Sequence, residues 1–306
     1  TSTDTMAEEL AVCDEGLFEQ YLETGMVDDS QIAQLVAERK AFPCYFGSAL
    51  KLDGVDALLD ALADVSRETG KPMVTVLVSS KPQVLPRSIV GDSGVLAGRC
   101  NDPKSGAGSI LWAPNPGMEG GQAIAEIILG EVNPSGRLPI TFPCHAGQLP
   151  VYYNQIRGQH GNRYADLTQD PAFAFGEGEG YTTFAYGEPT IVGGASNADG
   201  TFAQTDTVHA EIALTNTGRR AGTEVVQAYV GDVVTSYSWA DRELKAFRRV
   251  TLEPGETATV VFDIPVCDCT IADADANRIV EPGEFELLIG HSSRRDDLKR
   301  TTFTVA

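Results

Sequence analysis

Residues 109–143 read Ser-Ile-Leu-Trp-Ala-Pro-Asn-Pro-Gly-Met-Glu-Gly-Gly-Gln-Ala-Ile-Ala-Glu-Ile-Ile-Leu-Gly-Glu-Val-Asn-Pro-Ser-Gly-Arg-Leu-Pro-Ile-Thr-Phe-Pro, and this stretch decides the fold. Ile110, Leu111, Trp112 and Ala113 form a short continuous apolar run, the pattern of a strand covered on both faces. Pro114 and Pro116 stop it, and Gly117 permits a sharp turn. Ala123, Ile124, Ile127 and Ile128 then recur at helical spacing, with Gly130 where a C-terminal cap glycine belongs. Asn133, Pro134, Ser135 and Gly136 make a second turn. Glu119 therefore falls between the carboxyl end of a strand and the start of a helix, where open α/β sheets place their chemistry.

Outward from this stretch the pattern continues on both sides. Residues 73–78 (Met-Val-Thr-Val-Leu-Val) predict another buried parallel strand, preceded by a helix carrying Val55, Leu58, Leu59 and Leu62. Residues 87–108, rich in Gly, Ser and Asp, read as a loop insertion, and 144–187 as an irregular segment that packs over the sheet. In the tail, Val208, Ala210, Ile212 and Leu214 alternate with His209, Glu211, Ala213 and Thr215, the period of a half-buried strand. Strands over 225–230, 260–264 and 285–289, separated by turns at Asn216-Thr217-Gly218, Pro254-Gly255 and Pro282-Gly283, describe a β-sandwich. The predicted class is α/β followed by all-β.

Several motifs in order carry a resemblance. Pro116-Gly117-Met118-Glu119-Gly120-Gly121, Asn133-Pro134-Ser135-Gly136-Arg137-Leu138-Pro139, Leu149-Pro150-Val151-Tyr152-Tyr153-Asn154 and Tyr181-Thr182-Thr183-Phe184 resemble the second domain of family 3 glycoside hydrolases, the β-glucosidase and β-xylosidase family. The tail, with Glu243-Leu244-Lys245-Ala246-Phe247, resembles the fibronectin type III-like domain of these enzymes. The resemblance implies a partly parallel α/β sandwich over 66–187 and a fibronectin type III-like sandwich over 188–306. It also implies hydrolysis of O-glycosyl bonds with retention, by two carboxylates about 5 Å apart. In that family the nucleophile is an aspartate on a preceding (β/α)8 barrel, which needs roughly 200 residues or more and does not fit here. The chain is thus expected to be a C-terminal portion with negligible activity alone. The other class is a non-catalytic carbohydrate- or protein-interaction module docking on a separate barrel.

Residues 1–65 read differently. They hold fourteen Asp or Glu against three Lys or Arg, and Leu10, Leu17, Phe18, Tyr21 and Leu22, then Ile32, Leu35 and Val36, mark two amphipathic helices with Asp28-Asp29-Ser30 between them as a cap. A short strand is predicted at 42–46 and a loop at 47–51. Asp14-Glu15-Gly16-Leu17-Phe18-Glu19-Gln20-Tyr21-Leu22 and Phe46-Gly47-Ser48-Ala49-Leu50-Lys51 resemble a segment of translational GTPases, of the elongation factor G and ribosomal-protection tetracycline resistance type. With no Gly-x-x-x-x-Gly-Lys-Ser/Thr loop and no Asn-Lys-x-Asp motif, GTP hydrolysis is not expected. The chain reads as a fusion meeting in the helix before residue 66, where a strand–helix–strand unit survives the change of ancestry.

At 306 residues the chain has room for more than one core. Its formal charge of −20 opposes binding to nucleic acid or anionic membranes, and no apolar run is long enough to span a bilayer. Cys13, Cys44, Cys100, Cys144, Cys267 and Cys269 are too scattered for a disulfide framework and are read as reduced, with Cys267 and Cys269 sharing a strand face. Without a basic-then-apolar leader the expected location is cytoplasmic. No metal or cofactor is expected, and the partners considered are a β-glycoside, a separate barrel or a second copy.

The one candidate catalytic residue is Glu119, which matches by resemblance the acid/base of cereal-exohydrolase relatives. In family members carrying the terminal sandwich, that acid lies in a Gly-Glu-x-x-Asp-Arg loop, which is missing here. The preferred reading of Glu119 is therefore a helix N-terminal acid stabilised by the dipole and local amides. Trp112 is read as a core residue rather than a sugar platform, and His145 and His160 as loop histidines. Glu177 and Glu179 are read as a solvated acidic loop, made more acidic and looser than the family's by the two glutamates and an extra glycine.

Overall fold

The computed structural model describes residues 11–12, 14–38, 55–86, 108–156, 158 and 168–306. They fall into two compact units, 1–61 and 62–306. The strand predicted at 42–46, the loop at 47–51, most of the 87–108 insertion, His160, Cys13, Cys44 and Cys100 lie outside the described residues.

In the first unit, helices α1 (Glu15–Thr24) and α2 (Asp29–Ala37) form where the apolar stripes are, with Leu17 and Leu35 buried against each other's surroundings and Val27 packed on them. The caps are local chemistry. Asp14 accepts from the backbone N–H groups of Gly16 and Leu17, both at 3.1 Å. Asp28 and Gln31 bond reciprocally, each side chain accepting from the other's N–H at 2.9 Å, which is a capping box.

The second unit takes in the end of helix α3 (Val55–Thr69) and then strand β1 (Met73–Leu77). β1 pairs in parallel with β2 (Gly108–Trp112), Thr75 facing Ile110 and Leu77 facing Trp112. Helix α4 (Gly120–Ile128) follows and ends in a Schellman motif: Glu131 N–H donates to Glu126 O at 2.8 Å and Gly130 N–H to Ile127 O at 2.9 Å. The parallel pair stands as predicted, but its burial does not. Among the described residues β1 and β2 pair only with each other, so their side chains are half-buried and Val74 is 43 % exposed.

The sandwich is the well-packed part. One sheet runs β12–β11–β6–β7 (Leu298–Val305, Gly283–Gly290, Gly222–Asp232, Glu243–Leu252). In the other, β5 (Thr207–Asn216) is central, with β3 (Phe184–Tyr186) and β4 (Thr190–Gly193) along one edge and β8 (Thr257–Pro265) along the other. A short hairpin of β9 (Ile271–Ala272) and β10 (Arg278–Ile279) lies outside both sheets. Val208, Ala210, Ile212 and Leu214 of β5 are all buried, as the alternation predicts, against Val226, Ala228, Phe262, Phe285, Leu287 and Ile289. Phe285 stacks on Phe303 at 5.3 Å.

Two cysteine readings are corrected. Cys144 is disulfide-bonded, and its partner is not among the described residues. Spacing along the chain could not show this, because a cystine joins residues that folding brings together. Cys267 and Cys269 do not share a strand face: a single 3-10 turn (Val266–Asp268) follows β8, leaving Cys267 exposed and Cys269 buried.

Candidate functional site

Glu119 caps the start of α4 at φ −89°, and its side chain makes no capping hydrogen bond. Its backbone carbonyl accepts from Ala123 N–H at 3.0 Å. The preceding turn is bent by Asn115 and Gly117, both at positive φ (48° and 73°), and is welded to the helix where Gly120 packs on Pro116. Glu119 is exposed, as is Met118 beside it, and among the described residues no hydrogen bond or ion pair joins it to another side chain. The end of a parallel strand does present this acid. No second carboxylate is held against it by any contact among the described residues.

Trp112 has a structural role. Its Nε1 donates to Ser79 O at 2.7 Å and its ring meets Phe142 edge-on at 5.2 Å, which in turn meets Phe173 at 6.2 Å. His145 is exposed and accepts from Gly147 N–H at 3.0 Å, starting the 3-10 turn Ala146–Gln148. Trp112 is a packing residue that is half-buried rather than in a buried core, while His145 agrees with the loop reading from sequence.

The acidic loop at 176–180 does not. Glu177 is turned inward, accepts from Ala174 N–H and pairs with Arg294 at 3.2 Å, while Arg294 also donates to Pro171 O and Ala172 O. Only Glu179 is exposed. Nor is the loop loose, because its glycines mark close approaches. A Cβ on Gly176 (φ +80°) would collide with the Gln227 side-chain amide, and one on Gly180 would lie 2.8 Å from Asn133 Oδ1 and 2.9 Å from Pro134 O.

The residues that sequence reasoning missed lie along this seam, where the chain after α4 crosses the outer face of the sandwich. Arg137 pairs with Glu224 at 2.7 Å with both side chains nearly buried (9 % and 5 % exposed). Arg249 Nη2 donates to Ser135 Oγ at 3.2 Å, and Asn133 Nδ2 to Ala221 O at 2.9 Å. The 133–137 turn is thus a staple onto the sandwich, each polar side chain taking a partner there. Farther along, Tyr153 stacks on Phe175 at 4.3 Å and meets Tyr229 edge-on. Gln227 Nε2 donates to Gly176 O and His291 O and Oε1 accepts from Tyr229. Beyond it, Asp241 binds Arg242 and Arg295, and Glu286 binds Arg295 and Arg300. Burial pushes the Tyr153 and Tyr229 hydroxyls up and draws Arg242 down, Asp241 partly offsetting the latter. The available signal was in β6 and β11: Tyr229 and Leu288 are apolar where an outward face should be polar.

Compared with known families, residues 47–181 match the glycosyl hydrolase family 3 C-terminal domain, and 224–293 match a fibronectin type III-like domain. The first match begins at residue 47, upstream of the boundary at residue 66 expected from the sequence. A β-xylosidase of Formosa agariphila is 39% identical over 251 residues, covering 80% of this chain and 31% of its own length. A periplasmic β-glucosidase of Salmonella typhimurium is 35% identical over 239 residues, covering 75% of this chain and 28% of that protein. Among solved structures, a β-glucosidase involved in saponin metabolism from intestinal bacteria shares 85% identity with a TM-score of 0.79, over 82% of this chain and 33% of that one. The chain therefore spans about a third of the length of the relatives it matches.

Proposed function

We propose a function from one premise: the chain belongs to glycoside hydrolase family 3, as that family's C-terminal domain followed by a fibronectin type III-like domain. It serves as the C-terminal portion of a β-glucosidase-like hydrolase of O-glycosyl bonds and does not turn over β-glycosides by itself. The observation that carries this is the solitary, exposed Glu119. Retaining hydrolysis needs a second carboxylate about 5 Å away, and in family 3 that partner comes from a barrel outside this C-terminal match. Glu119 matches by resemblance the acid/base of cereal-exohydrolase relatives, but with the terminal sandwich present the preferred reading stays a helix N-terminal acid. Relatives named β-glucosidase and β-xylosidase support the reaction class, and a Listeria innocua β-glucosidase in complex with glucose (28% identical, TM-score 0.66) supports a β-glycoside as ligand.

The test is an aryl β-glucoside assay on the purified chain and on Glu119→Gln. Both should release aglycone at the rate of buffer. Turnover by the wild-type chain that Glu119→Gln abolishes would overturn the reading.

A second reading, an interaction module docking on a separate barrel polypeptide, is favoured by the apolar side chains left uncovered on the α/β portion. Val78 is 63 % exposed, Leu129 73 % and Met118 fully. Activity that appears only on mixing with a barrel-only polypeptide distinguishes it. On location, no helix among the described residues is long and apolar enough to cross a membrane. The cystine at Cys144 supports an oxidising compartment rather than the cytoplasm expected from sequence. Recovery of Cys144 only as a free thiol from cells lysed in alkylating agent would refute that.

A further inference from the structure

Helix α4 lacks the usual means of attachment. Among the described residues none of its apolar side chains is buried: Ile124 and Ile127 are half-buried, Ile128 is 44 % exposed, and Leu129 just beyond is 73 % exposed. A helix this short is unstable without an anchored apolar face. What holds it is polar and sits at its C-terminal end. Tyr181 Oη donates to Ile127 O at 2.6 Å, and Arg220 Nη1 donates to Gly130 O at 3.1 Å. The Arg220 guanidinium also lies 5.9 Å over the Tyr181 ring. Asn133 closes the arrangement, accepting from Tyr181 N–H at 2.7 Å and donating to Ala221 O at 2.9 Å.

Arg220 belongs to the sandwich, in the loop between β5 and β6, and that loop is itself set from below. Asn216 is fully buried and satisfied: Nδ2 donates to Arg220 O at 2.8 Å and Leu252 O at 2.9 Å, while Oδ1 accepts from Thr182 Oγ1 at 2.7 Å and Gly218 N–H at 3.0 Å. A connected series of bonds thus runs from the sandwich core through Asn216 and Arg220 to the last carbonyls of α4. A cation at that end also suits the negative pole of the helix. We propose that Arg220 of the sandwich, together with Tyr181 of the segment that crosses it, positions α4, and with it the Pro114–Gly120 turn that carries Glu119. The fibronectin-like domain then acts as the latch of the α/β portion, whether or not Glu119 is used in catalysis.

Hydrogen exchange of the full 306-residue chain, read by mass spectrometry, tests this. In Tyr181→Phe/Arg220→Ala, amides at 123–131 should exchange about tenfold faster, the size expected for losing one or two such bonds. Amides of β5, β8 and β11 should keep their rates, and Arg220→Lys alone, which retains Tyr181 and a cation near Gly130 O, should keep most of the protection at 123–131. Unchanged exchange at 123–131 in the double variant overturns the proposal. So does an equal rise throughout the sandwich, which would mean general destabilisation.

Discussion

Cys267 and Cys269 are two positions apart and chemically unlike. The turn after β8 leaves Cys267 in solvent, while burial pushes the Cys269 thiol up to about 11. At pH 8, iodoacetamide should modify Cys267 within minutes and leave Cys269 intact in the native chain, as peptide mapping would show. Equal labelling of the two would mean that the turn is not as described. Asp206 shows the opposite kind of shift. It accepts from Ala203 N–H at 2.8 Å and from Ser196 N–H and Oγ at 2.9 and 2.8 Å, and the Ala203 bond foremost holds its carboxyl below the usual range. A depressed folded value stabilises above the unfolded value near ~3.9 and is lost as pH falls through the folded one. Asp206→Asn should therefore flatten the acid limb of a stability–pH curve below about pH 4, leaving the curve near neutrality parallel to wild type. Neither the buried thiol nor the bridging carboxylate could be read from sequence, since each depends on neighbours that only the fold supplies.

Element by element, legibility followed burial. β5 was plain because one face meets a core and the other does not, so its side chains alternate. α4 and its cap glycine were plain because a Schellman ending has a local signature. The 133–137 turn was legible as a turn and opaque as a staple, because its partners Ala221, Glu224 and Arg249 are 87 to 114 residues away. Its buried ion pair invites a direct test. Removing only Arg137 leaves the Glu224 carboxylate buried and uncompensated, so Arg137→Ala should cost about 3 kcal/mol. That is a Tm roughly 8 °C lower in calorimetry, given the slope for a domain of this size. Arg137→Met combined with Glu224→Gln should recover most of the loss, since it is the stranded charge rather than the missing attraction that destabilises. A double variant as unstable as Arg137→Ala would contradict this.

At the scale of the whole chain, the sandwich and the α/β portion differ in what holds them. The sandwich closes an apolar core between two sheets, whereas β1 and β2 form a two-stranded parallel pair with half-buried faces among the described residues. Such pairs are marginal alone, and parallel sheets elsewhere are covered on both sides. The chain contains two tryptophans, and they divide between these parts. Trp112 ends β2 and packs on Phe142, while Trp239 lies under Arg278, 5.0 Å from its guanidinium, beside β7. Trp239→Phe therefore leaves a reporter of the α/β portion, and Trp112→Phe leaves one of the sandwich. In urea the Trp112 signal should change first, at a midpoint lower by about 1 M, which at ordinary slopes corresponds to roughly 2 kcal/mol less local stability. A barrel polypeptide that covers the α/β portion should move the Trp112 midpoint toward that of Trp239 by binding the folded form alone. Coincident midpoints in the isolated chain would instead show that the Asn133, Tyr181 and Arg137 contacts already make residues 62–306 unfold as one.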